Sequence, residues 1–142
     1  MSDLKIIIVS GLSGSGKSLA IKSFEDMGFF CVDNLPSALI PKFAELSAQS
    51  DKGIQRVALG MDIRERDFFG GFGKLHDELA AGGHDVHVLF LEASDEVLAR
   101  RFSESRRPHP VAKGRPLDEA IRLEREMMDE IRRKADRIID TS

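Results

Sequence analysis

The residues whose types and spacing best fit a specific chemistry form one short loop near the start of the chain: Gly11, Leu12, Ser13, Gly14, Ser15, Gly16, Lys17 and Ser18. Their spacing is G-x-x-x-x-G-K-S/T, in which glycines let successive backbone N–H groups curl around an anion. The lysine ammonium can reach the β- and γ-phosphates of a nucleotide, and the following serine hydroxyl can bind Mg²⁺. We therefore predict a triphosphate and Mg²⁺ site here, with Lys17 in catalysis, instead of a chance glycine-rich turn.

Acidic residues follow several of the apolar segments and are candidate partners for the metal. Asp62 follows the third apolar segment, where a carboxylate would hold Mg²⁺ directly or through water. The alternative is an ordinary aspartate in a turn, and Glu92 is then the reserve candidate. Asp33 is a further acid of this kind, either a substrate or metal ligand or a turn residue.

A basic segment later in the chain predicts a lid over the phosphates. Between Arg100 and Arg115 there are six lysines and arginines against one acid, Glu104. Arginine matches phosphate geometry bidentately and stabilises charge during phosphoryl transfer. We therefore predict that Arg106 and Arg107, at a helix end beside a proline-containing loop, take part in catalysis; a solvated helix face is the alternative.

The elements that position these residues alternate regularly along the chain. The predicted strands cover residues 4–10, 29–33, 55–61, 85–91 and 137–140, and the predicted helices cover 18–27, 37–50, 67–81, 94 to about 106, and 117–135. Such alternation predicts an α/β fold, here an adenylate-kinase-like P-loop NTPase three-layer sandwich with a five-stranded parallel sheet. Ligands bind at the carboxyl ends of such strands, where the loop and the acids converge. The last helix is charged, and we expect a solvated helix with Met127, Ile131 and Ala135 partly facing inward.

Length and composition restrict the possible classes of protein. The length of 142 residues predicts one domain, and together with the P-loop it predicts a nucleotide-binding domain over 1–142. No segment has the roughly 18–20 apolar residues of a membrane span, so we expect no membrane contact. Cys31 is the single cysteine, which excludes an internal disulfide and favours a reducing, cytoplasmic location. We expect Cys31 to be a buried strand residue and not a reactive thiol.

Several motifs in order give the chain a specific resemblance to the RapZ family of bacterial P-loop proteins, also called RNase adapter proteins. They are the P-loop, "VDNLP", "GMDIR", "FLEASDEVLARRFSESRRPHP" and "IDTS", and they span almost the whole chain. The resemblance implies binding and hydrolysis of both ATP and GTP. It places ATP on residues 11–18 and GTP on Asp62, Ile63, Arg64 and Glu65, although family members commonly have a small polar residue where Glu65 stands. Whether Asp62 serves Mg²⁺ or GTP stays open.

The resemblance also implies how the domain is used. Family members carry a further C-terminal domain linked to RNA binding and to regulation of amino-sugar synthesis. Small regulatory RNA and protein partners are therefore expected only through that domain of a longer parent protein. Three functions remain: a regulatory domain with slow ATPase and GTPase activity, a small-molecule kinase, or a module that holds nucleotide without turnover. The sequence offers no evident acceptor pocket or base, which favours the first and third.

Overall fold

A computed structural model describes residues 5–33, 39–48, 56–61, 66–104 and 114–142. The strands are β1 (Lys5–Gly11), β2 (Phe30–Asp33), β3 (Arg56–Gly60), β4 (Asp85–Glu92) and β5 (Arg137–Asp140). The helices are α1 (Lys17–Asp26), α2 (Ile40–Ala48), α3 (Arg66–Ala81), α4 (Asp95–Glu104), α5 (Leu117–Met127) and α6 (Asp129–Lys134). Strands and helices alternate from β1 to α4, and three of the described helices, α4, α5 and α6, separate β4 from β5.

The five strands form one parallel sheet in the order β2-β3-β1-β4-β5. β1 is central, with β3 and β4 on its two sides, so the loop after β1 leaves the middle of the sheet. Parallel pairing puts the carboxyl ends of all five strands at one edge. The predicted fold class, a P-loop α/β sandwich with a five-stranded parallel sheet, is confirmed.

Side chains of β1 and β4 alternate between two apolar layers, as expected for a sheet covered on both faces. Ile6, Ile8 and Phe90 belong to the larger layer, which includes buried residues of α2, α3, α4, α5 and α6. Val9 and Leu91 belong to the smaller layer, where Ile21 of α1 packs on the sheet. The result is helix, sheet and helix in three layers.

Local sequence signals explain several helix ends. The Ser94 hydroxyl oxygen accepts a hydrogen bond from the Val97 N–H at 3.3 Å, so Ser94 caps the start of α4. Pro41 lies in the first turn of α2, where a missing N–H costs little. Gly28 follows α1 with φ +91°, a left-handed conformation that glycine adopts without steric cost.

The prediction of one continuous helix over 117–135 is wrong. The helix is interrupted at Met128, whose φ of −98° and ψ of 5° separate α5 from α6. The sequence has neither glycine nor proline at this point, so no local signal marks the break. Met128 is buried in the larger apolar layer. We infer that core packing, and not helix propensity, sets the position of the break.

Among the helices that the structure describes, none has the length and apolar character needed to cross a membrane.

Candidate phosphate-binding site

The loop between β1 and α1 takes the shape that its glycines permit. Gly14 and Gly16 have φ values of +84° and +103°, which side-chain-bearing residues rarely adopt. Gly11 is needed for a different reason, since a Cβ atom there would lie 2.5 Å from the Leu91 carbonyl oxygen on β4. The three glycines therefore let the chain leave the sheet closely and turn into α1.

The backbone N–H groups of the loop fall into two sets. Leu12 N–H donates to the Leu91 carbonyl at 3.0 Å, and Ser15 N–H donates to the Leu12 carbonyl at 3.0 Å. By contrast, the N–H groups of Gly14, Gly16 and Ser18 make no hydrogen bond within the described part of the chain. They lie at or just before the N-terminus of α1, where the helix dipole also favours an anion. This second set can bind a phosphate group.

Lys17, at the first position of α1, extends to the neighbouring strand. Its Nζ donates to the Met61 carbonyl at 3.0 Å, at the carboxyl end of β3. This contact places the ammonium group at the same sheet edge as the loop. Asp62 is the next residue along the chain from Met61, but the predicted group Asp62, Ile63, Arg64 and Glu65 lies outside the described residues.

The other side of the loop is held by Arg101 and Thr141. The Arg101 guanidinium donates to the Gly14 carbonyl at 2.9 Å and to the Thr141 carbonyl at 2.6 Å. The Thr141 hydroxyl donates to the Ser15 carbonyl at 2.6 Å. Within the predicted basic segment, Arg101 is therefore bound to backbone carbonyls, while Arg106 and Arg107 lie outside the described residues.

A buried carboxylate on α5 contacts the first half of the loop. Glu124 Oε1 accepts the Ser13 N–H at 2.9 Å, and its Oε2 accepts the Ser13 hydroxyl at 2.6 Å. Glu124 is 0% exposed. The expectation that this helix is mainly solvated is therefore wrong at Glu124, because a tertiary contact with Ser13 buries a side chain that its charged neighbours predict to be exposed. No motif links two residues so far apart in sequence.

Of the strand-end acids, Asp33, Glu92 and Asp140 lie at the same sheet edge as the loop. Glu92 accepts from Arg132 Nε at 2.7 Å, and this bond is the main cause of a raised pKa for Arg132. Asp140 accepts from the Ser142 hydroxyl at 2.6 Å, which holds the pKa of Asp140 below its usual value. Glu92, the reserve metal candidate, is thus already in an ion pair.

The protein oxygens near the loop could supply the one or two ligands that Mg²⁺ needs beside a phosphate, but not a complete metal site. The described residues contain no group of three acidic, histidine or cysteine side chains that could hold a metal. Mg²⁺ in phosphate sites usually needs just one or two protein oxygens, because phosphates and waters complete its octahedron. The Ser18 hydroxyl and one strand-end carboxylate would satisfy that requirement.

A cavity of about 280 Å³ lies beside the loop residue Leu12. Its lining comes from the loop, from β4 and from helices α5 and α6: Leu12, Phe90, Glu92, Arg125, Asp129 and Arg132. Both arginines are paired, Arg132 with Glu92 and Arg125 with Asp95 at 2.7 Å. The cavity offers charged groups of both signs next to the candidate phosphate site.

The parallel sheet, the glycine loop after its central strand and the helix that follows define an α/β P-loop domain. Comparison with solved structures agrees: a gluconokinase from Sinorhizobium meliloti 1021 matches with a TM-score of 0.58 at 19% identity, over 100% of this chain and 85% of that one. The YorR protein of Bacillus subtilis, solved in complex with phosphorylated GDP, matches with a TM-score of 0.59 at 16% identity, over 96% and 86%. These similarities concern the fold.

The chain belongs to the family described as the RapZ-like N-terminal domain, whose model matches residues 4–142. A nucleotide-binding protein of Halothermothrix orenii is 54% identical over 140 residues, covering 98% of this chain and 48% of that protein. One of Geotalea uraniireducens is 52% identical over 139 residues, with the same coverages. The family resemblance of the sequence is thus confirmed, and the chain spans about half the length of these relatives.

Proposed function

We propose that this domain binds ATP and GTP at its P-loop and hydrolyses them slowly with Mg²⁺, as the nucleotide-binding part of a regulatory RNase-adapter protein. The observation that carries the proposal is the set of N–H groups on Gly14, Gly16 and Ser18, which make no hydrogen bond among the described residues and lie at or just before the N-terminus of α1. Relatives about 50% identical carry the name nucleotide-binding protein. RNA and protein partners belong, in this proposal, to the remainder of a longer parent protein.

The proposed roles follow from the chemistry of each group. Within the loop of residues 11–18, the N–H groups of Gly14, Gly16 and Ser18 hold the β- and γ-phosphates, and Lys17 neutralises charge that develops on them. Ser18 and Asp62 hold Mg²⁺, or Asp62 belongs with Ile63, Arg64 and Glu65 to a GTP contact. Arg106 and Arg107 stabilise the transferring phosphoryl group.

Calorimetric titration with ATP, GTP and their diphosphates, with and without Mg²⁺, tests the proposal. We expect Lys17→Ala to lose binding or turnover while the circular dichroism spectrum is unchanged, because the ammonium group is removed from the phosphates. Lys22→Ala is the matched control, since Lys22 is exposed on the same helix. An unchanged ATP dissociation constant together with unchanged turnover in Lys17→Ala would contradict the site.

Two further variants assign the metal and the lid. We expect Asp62→Asn to weaken the dependence of binding on Mg²⁺; if the dependence is unchanged, the role moves to Glu92. We expect Arg106→Ala combined with Arg107→Ala to lower phosphate release more than ATP binding, and equal turnover would show that the proposed lid is wrong.

A small-molecule kinase is the second candidate function. The cavity beside Leu12, with its arginines and acids, is the candidate acceptor pocket, and the fold is similar to that of a gluconokinase. Rapid transfer of phosphate from ATP to a sugar or nucleotide in a broad acceptor screen would favour this function over slow hydrolysis.

A further inference from the structure

Glu124 is a buried carboxylate whose two oxygens both bind one residue of the glycine loop. It accepts the Ser13 N–H at 2.9 Å and the Ser13 hydroxyl at 2.6 Å, although the two residues lie 111 positions apart in sequence. A buried charge is costly unless hydrogen bonds compensate it. Charge-assisted bonds of this kind are short and strong, and two of them to one residue fix its orientation as well as its position.

The position of Ser13 gives these bonds a consequence for the loop. Leu12 N–H is held by β4 through the Leu91 carbonyl, and the next N–H, that of Ser13, is held by α5 through Glu124. The following N–H, that of Gly14, belongs to the set without a partner among the described residues. Glu124 therefore holds the N–H that immediately precedes the first N–H available for an anion, that of Gly14; further along, the Ser15 N–H is again bound to the loop itself, through the Leu12 carbonyl.

We propose that Glu124 is a positioning residue of the phosphate site: it fixes Ser13, so that the N–H groups that follow converge on one phosphate. The inference rests on the proposed nucleotide binding and adds to it a role for α5. The contribution of Glu124 is geometric and its charge is not required. A glutamine would keep the Ser13 N–H bond through its oxygen, and its amide group would donate to the Ser13 hydroxyl oxygen.

Replacement by glutamine and by alanine separates these effects. We measure the dissociation constant of ATP with Mg²⁺ by calorimetry on the 142-residue chain and on its Glu124→Gln and Glu124→Ala variants. We expect roughly a tenfold weaker constant for Glu124→Ala, the equivalent of one lost hydrogen bond, and a change below about twofold for Glu124→Gln. Glu126→Ala is the matched control, because Glu126 is exposed on the same helix, and it should bind as the wild type does.

A second measurement needs no nucleotide and therefore separates failure of this inference from failure of the proposed function. Amide hydrogen exchange followed by NMR should show the Ser13 N–H protected in the wild type and in Glu124→Gln, and exchanging roughly tenfold faster in Glu124→Ala. If the wild-type chain binds neither ATP nor GTP, the proposed function fails. In that case the Ser13 N–H exchange rates of the wild type and the two variants still decide whether Glu124 positions Ser13.

Three results would overturn the inference. The first is a folded Glu124→Ala that binds ATP as the wild type does. The second is a Glu124→Gln as impaired as Glu124→Ala, which would mean that the charge is needed. The third is normal ATP binding with lost turnover in Glu124→Gln, which would make the carboxylate a catalytic group. Should Glu124→Ala fail to fold, Ser13→Ala decides: roughly threefold weaker ATP binding supports the inference, and unchanged binding overturns it.

Discussion

Gly11, the first glycine of the phosphate loop, ends β1 at a place where β4 leaves no room for a side chain. A Cβ atom on Gly11 would lie 2.5 Å from the Leu91 carbonyl oxygen and 2.9 Å from the Leu91 Cβ. Since Cβ contacts under 3.0 Å are essentially never observed, Gly11→Ala must move β1 and β4 apart by about 0.5 Å at this point. We therefore expect Gly11→Ala to destabilise the fold even without nucleotide.

The size of the effect follows from two contributions. Forcing extra atoms into a packed region costs about 1–3 kcal/mol. The same Leu91 carbonyl accepts the Leu12 N–H at 3.0 Å, and losing that bond costs about 1 kcal/mol more. Together they predict a free energy of unfolding lower by about 2–4 kcal/mol.

Gly114→Ala is the matched control for this change. Gly114 has φ +79°, and no atom of the described residues lies within 4 Å of the point that a Cβ atom would occupy, so the substitution measures backbone strain, about 1–2 kcal/mol. Both variants stiffen the unfolded chain by the same Gly-to-Ala change, so this effect cancels between them. Urea unfolding followed by circular dichroism gives both free energies. If Gly11→Ala is as stable as Gly114→Ala or more stable, the argument that a Cβ atom on Gly11 clashes with Leu91 is refuted.

Three further predictions concern single contacts. Arg101→Ala should lower the free energy of unfolding by about 1–2 kcal/mol, because it removes hydrogen bonds to two backbone carbonyls; the exposed Arg100→Ala is the control, and equal urea midpoints for the two variants would contradict the prediction. Burial, with a smaller contribution from a nearby carboxylate, raises the pKa of the Cys31 thiol. Iodoacetamide at neutral pH should therefore alkylate Cys31 more slowly than it alkylates free cysteine. Faster alkylation would indicate a reactive thiol and contradict the prediction. Ser142→Ala should raise the pKa of Asp140 measured by NMR, because the Ser142 hydroxyl is the main cause of its lowered value. A lowered pKa means that this carboxylate stabilises the fold at higher pH and that its contribution is lost as pH falls through the folded-state pKa. An unchanged Asp140 titration in Ser142→Ala would exclude the hydroxyl as the cause.

Much of the fold was predictable because each signal is local. An apolar run such as that of β1 favours a buried strand whatever surrounds it, and Ser94 caps α4 through its own side chain. The glycine loop is equally local, since its spacing alone specifies a turn between a strand and a helix. The order of elements, the parallel sheet and the place of the candidate site at its carboxyl edge follow from such signals.

Tertiary packing decided what these local signals could not. The break at Met128 lies in a sequence without glycine or proline, and Met128 is buried in the core there, from which we infer that packing sets the position of the break. Glu124 looks solvated among its charged neighbours, yet the fold buries it against Ser13, and Arg101 is held by the loop and by Thr141. The contacts of Glu124 and Arg101 join residues far apart in sequence. They therefore depend on where the sheet places α4, α5 and β5 relative to the loop. The loop sequence predicts which residues would bind a phosphate, because the glycine spacing is local; the contacts that hold those residues in place appear only in the folded chain, because they join distant segments.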